Sequence, residues 1–151
     1  MNAYSQLLRY IKETGQPLVN TITQGNIAGM DNNDTTIFPL LHVDVGNAIF
    51  PAESVIRFSV RIGCFGIRDS NPEPNTDRYY DNDNEIDNLN ATLAILNRLW
   101  LLMLKDLDGL NIAAVEVPKL EKCTEYAQNL LDGWIMAFEI DVPNVTIDLC
   151  E

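Results

Sequence analysis

The sequence NLLDGWIMAFEIDVPN at residues 129–144 decides the fold, because its apolar side chains alternate with a period of two. A strand with this pattern places one apolar set on a single face: Trp134, Met136, Phe138 and Ile140. That face must be covered by another element, and the helix predicted upstream is the obvious cover. No catalytic group lies in the stretch, which favours a structural or assembly protein over an enzyme.

The predicted covering helix begins near residue 84 and runs to about residue 107, with Gly109 as its cap. Its apolar residues recur at spacings of three and four: Leu89, Leu93, Leu96, Trp100, Met103 and Leu107. Further leucines widen this stripe past half of the helix surface, which indicates that more than one side is covered. The sheet would cover one side, and a first helix at residues 3–13 or a neighbouring subunit would cover the other.

Other patterns predict five further strands, at residues 18–23, 37–45, 54–67, 112–117 and 120–126. Turns are predicted at Gly46-Asn47 and Asp132-Gly133, and a bulge or bend at Gly63 and Gly66. The resulting order is one helix, three strands, a long helix and three strands. It predicts a single α+β domain over residues 1–151, with a mostly antiparallel sheet and two helices on one face.

A long polar segment at about residues 69–84 separates the third strand from the long helix. It contains two prolines and several acids, and loops of this length within a domain are usually functional or mobile. Its pair of tyrosines is an apolar island, which indicates a docking patch for a partner rather than a simple spacer between elements. The predicted interaction residues are five from this loop and one from the helix: Tyr79, Tyr80, Asp77, Asp81, Asp83 and Trp100.

The formal net charge of −12, from 22 acidic and 10 basic residues, argues against binding nucleic acid through its phosphates. A solvated acidic surface is one interpretation of this charge. An acidic face that docks on a basic partner, or that lines a conduit for DNA, is the other. No apolar run is long enough to cross a bilayer, and the N-terminal residues lack a signal-peptide core. Synthesis in the cytoplasm is therefore expected.

The sequence contains few candidates for catalytic or metal-ligating residues. His42 is the only histidine and is expected to be a half-exposed strand residue rather than a ligand or base. Cys64 is expected in the core, whereas Cys150 could be a free thiol. Residues 81–87 resemble the start of a calcium loop, but the required glycine and distal glutamate are missing. We therefore predict no catalytic residue, no metal, no cofactor and no enzymatic activity.

The chain nevertheless resembles a known family across roughly residues 5 to 150. It is similar to small virion proteins encoded in the head–tail gene blocks of phages and prophages of Bacteroidetes hosts, including crAss-like phages. The resemblance is carried by short apolar motifs, the long strand that ends near Asp69 and the amphipathic helix. The motifs are Phe38-Pro39-Leu40-Leu41-His42-Val43-Asp44, Gly46-Asn47-Ala48, Asn129-Leu130-Leu131-Asp132-Gly133-Trp134 and Leu149-Cys150.

This resemblance implies a neck-ring or tail-terminator protein, a fold in which two helices pack on an antiparallel sheet. It implies a homo-oligomeric ring of six or twelve copies at the head–tail junction of the virion. The ring would contact portal or connector and tail proteins, with DNA only passing through its channel and no membrane contact. The alternative hypothesis is a non-enzymatic adaptor that presents the acidic loop to a basic protein partner. A third hypothesis is a small enzyme or metal protein.

Overall fold

The structure, a computed structural model, describes residues 3–25, 39–67, 85–110, 113–114, 117–126 and 131–143. These residues form two helices and six strands, which follow one another in the predicted order. They are α1 (Ala3–Gly15), β1 (Thr21–Gln24), β2 (Leu40–Ala52), β3 (Val55–Ile67), α2 (Glu85–Leu110), β4 (Ala113–Ala114), β5 (Lys119–Tyr126) and β6 (Leu131–Pro143).

All six strands belong to one mostly antiparallel sheet. Its order is β1-β2-β3-β6, and β4 and β5 both pair with β6. Because β3 occupies one side of β6 along its whole length, β4 and β5 lie end to end on the other side. Pro118 lies between them and cannot donate a ladder hydrogen bond, which suits an interrupted edge. Among the described strand pairings, the short one of β1 with β2 is the only parallel one.

Both helices pack on one face of this sheet, which confirms the predicted α+β class. The alternation predicted for β6 holds, and the buried residues of β3 alternate with it from Ile56 to Cys64. α1 contributes Leu7 and Ile11 to the same core. The core residues that α2 adds lie on one helical stripe: Leu96, Leu99 and Met103. α1 and α2 therefore share one core with the helix-side face of the sheet.

A second, smaller cluster of buried residues lies on the opposite face of the sheet. It comprises Leu40, Phe65, Cys123, Leu131 and Ile135. Strand register places these residues on the side away from the helices. Leu40 pairs with Phe65 on β3, Phe65 pairs with Gly133 on β6, and Gly133 pairs with Cys123 on β5. The sheet is thus apolar on both faces at this end. Nearer the β2–β3 turn the same face is polar, with Arg57, Arg61 and Asp141.

The predicted turn at Gly46-Asn47 is wrong, because β2 continues through it to Ala52. The hairpin turn lies at residues 53–54 instead. Two register shifts occur in β2, between Val45 and Ala48 and between Ile49 and Ala52, each with one extra residue on β2. Gly46 therefore belongs to a β-bulge, where a glycine is as well suited as in a turn.

The predictions for Gly63, Gly66, Gly109 and the turn at Asp132-Gly133 are also wrong. The ladder of β3 with β6 is continuous from Val55 to Ile67, so neither Gly63 nor Gly66 marks a bulge in it. At Gly63 a side chain would collide with the ring of Phe65. The backbone of α2 continues through Gly109 to Leu110, and Asp132 and Gly133 are paired residues of β6.

Candidate functional site

The sequence-predicted interaction residues divide into two groups. Trp100 is described and lies on α2, half-buried beside the sheet. The five loop residues lie outside the described residues: Tyr79, Tyr80, Asp77, Asp81 and Asp83. Their docking role, and with it the adaptor hypothesis, stays a prediction from the sequence.

Trp100 lines an open groove of about 430 Å³ between α2 and the β5 edge of the sheet. Apolar side chains dominate it, with Leu93 and Trp100 on the helix wall and Leu120 on the strand wall. Its remaining lining residues are Asn90, Ala94, Leu96, Asn97, Pro118 and Met136. An apolar cleft with a few polar groups at its margin is typical of a binding surface.

Two tryptophans fix α2 above the sheet and so define the groove. The Trp134 Nε1–H donates to the carbonyl oxygen of Leu89 over 3.0 Å, which ties β6 to the first half of the helix. The ring of Trp100 packs against that of Phe138, with centroids 5.5 Å apart and planes tilted by 57°. α2 is therefore anchored over β6, and the space toward β5 stays open.

Exposed apolar side chains extend the groove in both directions. Leu101 and Leu104 are 53% and 44% exposed and follow Asn97 on one stripe of α2. Val117 is 83% exposed and Leu120 46% exposed along the opposite wall. A contiguous apolar patch of this kind on a folded protein marks an interaction site more often than scattered surface leucines do.

A second exposed apolar surface lies at the tip of the β2–β3 hairpin. Residues 46–54 are all exposed, and among them Ile49 is 55% and Phe50 71% exposed. β1 pairs with β2 only as far as Val43, so the rest of β2 forms a sheet edge among the described residues. We call residues 49–53 the hairpin tip. The sequence signal for it was the apolar run Ile49-Phe50-Pro51, which the predicted turn at Gly46-Asn47 obscured.

His42 is buried, which corrects the prediction of a half-exposed residue. Its Nε2 lies 3.0 Å from the carbonyl oxygen of Gly25, so Nε2 carries a proton and donates. Its Nδ1 lies 2.6 Å from the Thr23 hydroxyl. The ring thus joins β2 to β1 and to the residue after β1. Both ring nitrogens are engaged, one with the Thr23 hydroxyl and the other with the Gly25 carbonyl oxygen, so this histidine has a structural role in holding the two strands together.

The two described cysteines are buried thiols, and Cys64 lies in the core as predicted. Burial raises the pKa of Cys64 from 9.0 to about 12. The pKa of Cys123 is also raised, mainly by burial and further by Glu121, against an opposing effect of Arg61. A raised pKa disfavours the thiolate, which is the nucleophilic form. Cys150 lies outside the described residues.

Charged side chains on the face away from the helices pair with one another. The Arg57 Nε donates to Asp141 Oδ1 over 2.8 Å and Nη2 to Oδ2 over 3.3 Å, across directly paired strands. This two-pronged contact is partly shielded, with about a quarter of each side chain exposed. It stiffens the sheet close to the hairpin tip, where β2 is bulged.

Within the described ranges no group of three or more histidine, cysteine or acidic residues could hold a metal ion. Among the same residues no helix is long and apolar enough to cross a membrane. A scan against protein-family models finds no match to this sequence, and a search of curated proteins finds none either. The candidate functional site is therefore defined by surface chemistry alone: the apolar groove and the hairpin tip.

Proposed function

We propose that this protein is a structural subunit that assembles head to tail into a closed ring, as a phage neck or tail-terminator protein at the head–tail junction of a virion. The ring would join portal or connector to tail, without catalysis by its subunits. The junction assignment rests on the motif resemblance described above. The assembly mode is supported by an observation on the fold.

That observation is the presence of two different exposed apolar surfaces on opposite edges of the sheet. The hairpin tip belongs to the β2 edge, whereas the groove lies at the β5 edge. A symmetric dimer needs only one self-complementary surface, but a ring needs two distinct surfaces that meet between successive copies. A fold with an apolar projection on one edge and an apolar groove on the other is suited to the second arrangement.

The charge of the chain is consistent with this role. At −12 per copy, a ring would present a strongly negative surface to the duplex that moves through its channel. Phosphates are repelled by such a surface, so DNA would slide without being held. The same charge disfavours non-specific association, which leaves the apolar surfaces to determine how the copies meet.

The proposal is tested by measuring mass and shape in solution and then in particles. Light scattering after size-exclusion chromatography, over a wide range of protein concentration, should give a discrete oligomer, and negative-stain images should show rings. A cryo-EM map of the virion should place six or twelve copies between portal and tail. A protein that stays monomeric at high concentration and is absent from purified virions would contradict the proposal.

A further inference from the structure

We propose that the hairpin tip of one copy inserts into the groove between α2 and β5 of the next copy, with Phe50 as the central contact. This inference rests on the proposed head-to-tail assembly and names the contact that would build it. The partner is a second copy of this chain. Three features of the described residues support it: a projecting apolar tip, an apolar groove that cannot be filled by its own tip, and opposite charges beside the two.

The tip projects because β2 is bulged there. Between Ile49 and Ala52 the strand contains one residue more than β3 opposite, so Phe50 and Pro51 lie outside the regular ladder. Bulges of this kind redirect side chains, and Phe50 is more exposed than any other aromatic residue whose side chain the structure describes. At 71% exposure, much of the apolar surface of this aromatic side chain is in contact with water unless a partner covers it.

The groove is the matching concave surface. Its walls are leucine, tryptophan and proline, and its floor is the buried Met136. It cannot take the tip of its own chain, because β3 and β6 separate β2 from β5. Three strand spacings amount to about 14 Å within a rigid sheet. Contact between tip and groove is therefore between molecules.

The charges beside the two surfaces are opposite. Glu53 is exposed at the hairpin turn directly after the apolar residues of the tip. Lys122 is exposed on β5 and lies on the helix side of the sheet together with the groove residue Leu120, since the two pair with Trp134 and Met136. Lys119 and Glu121 both belong to the face away from the helices, as their pairing with Ala137 and Ile135 shows, and their opposite charges offset each other there. In a chain with few cations, this placement lowers the repulsion between copies where the tip would enter.

The contact is tested by photocrosslinking from position 50. The full chain carrying Phe50→p-benzoylphenylalanine keeps an apolar aromatic group at the tip. It is prepared with and without ¹⁵N, mixed in equal amounts, irradiated and mapped by mass spectrometry. Crosslinked peptides that pair light with heavy nitrogen identify contacts between copies. Tyr4→p-benzoylphenylalanine, at an exposed aromatic position on α1, is the matched control.

We expect mixed-isotope crosslinks from position 50 to residues 90–100 or 117–120, and none from position 4 to these residues. Phe50→Asp should weaken self-association by about tenfold or more, as loss of a buried aromatic contact predicts, whereas Ile67→Asp should change it less than about twofold. If oligomers form but position 50 crosslinks to another surface, the inference is wrong and the proposed assembly stands. If neither oligomers nor mixed-isotope crosslinks form, the inference is wrong, and absence of the protein from purified virions would then contradict the proposed assembly as well.

Discussion

At Gly133 the neighbouring strand leaves no room for a side chain. A Cβ at this position would collide with the carbonyl oxygen of Cys64, and its next neighbours would be the Cys64 carbonyl carbon and the Phe65 Cα at 2.9 and 3.0 Å. All three atoms are backbone and cannot rotate away. The glycine is thus required by the close approach of β3 to β6, and its conformation is ordinary.

Gly133→Ala is therefore expected to destabilise the fold by about 3 kcal/mol or more, since β3 and β6 must separate locally. Gly46→Ala is the matched control, because a Cβ there meets its nearest atom, the Ser59 carbonyl oxygen, at an unstrained 3.6 Å. It should change the free energy of unfolding by less than about 1 kcal/mol. Urea unfolding followed by circular dichroism measures both, and equal midpoints would refute the explanation.

Cys64 should make stability depend on pH in alkaline solution. The unfolded thiol ionises around its ordinary pKa of 9.0, whereas burial holds the native thiol protonated up to about pH 12. Between these values the unfolded state binds fewer protons, so the free energy of unfolding falls as pH rises. Below pH 9 both states are protonated, and the contribution is fully present.

We expect the stability of the wild-type protein to fall more steeply between pH 9 and 11 than that of Cys64→Ala. The difference in slope should approach about 1.4 kcal/mol per pH unit. Denaturant unfolding at several pH values measures it, and comparison of slopes removes the constant cost of the small cavity. Parallel slopes would show that the buried thiol is not the source.

At the scale of elements, the hydrogen bond from Trp134 to the Leu89 carbonyl links helix to sheet. Trp134→Phe should lower the free energy of unfolding by about 1 to 2 kcal/mol, because the phenyl ring keeps most of the packing but cannot donate. Trp100→Phe preserves an aromatic ring against Phe138 and should cost less. Guanidinium unfolding curves of the two variants give the comparison. A larger loss of unfolding free energy for Trp100→Phe than for Trp134→Phe would show that the Trp134 hydrogen bond is not the main link between α2 and the sheet.

The same scale shows what sequence patterns can predict. The alternation in β3 and β6 and the three-four spacing in α2 identified these elements, since one buried face imposes each period. Turns were less predictable. Gly133 is a glycine because the backbone of the opposing strand approaches closely, whereas Gly46 lies in a β-bulge that leaves room for a side chain. Local sequence does not distinguish these uses from a turn.

At the scale of the whole molecule, the candidate site was only partly predictable. Trp100 was identified from its helix, but the groove exists because of the gap between α2 and β5, which are fixed by contacts with β6. The exposed Phe50 depends on a register shift between two strands. Both surfaces arise from the packing of elements, and the one local signal for either of them is the apolar run Ile49-Phe50-Pro51 at the hairpin tip.

The position of β6 has a consequence for the order in which the chain folds. This strand is the partner of β3 along its full length and the only described partner of β4 and β5. Val55 must find Pro143, and the intervening chain must close as a long loop before these contacts form. Folding of this protein should therefore be slow relative to hairpin formation, as for other topologies rich in distant pairings. During synthesis the β2–β3 hairpin would lack its β6 partner, and its apolar residues on the face away from the helices would stay exposed, until β6 leaves the ribosome.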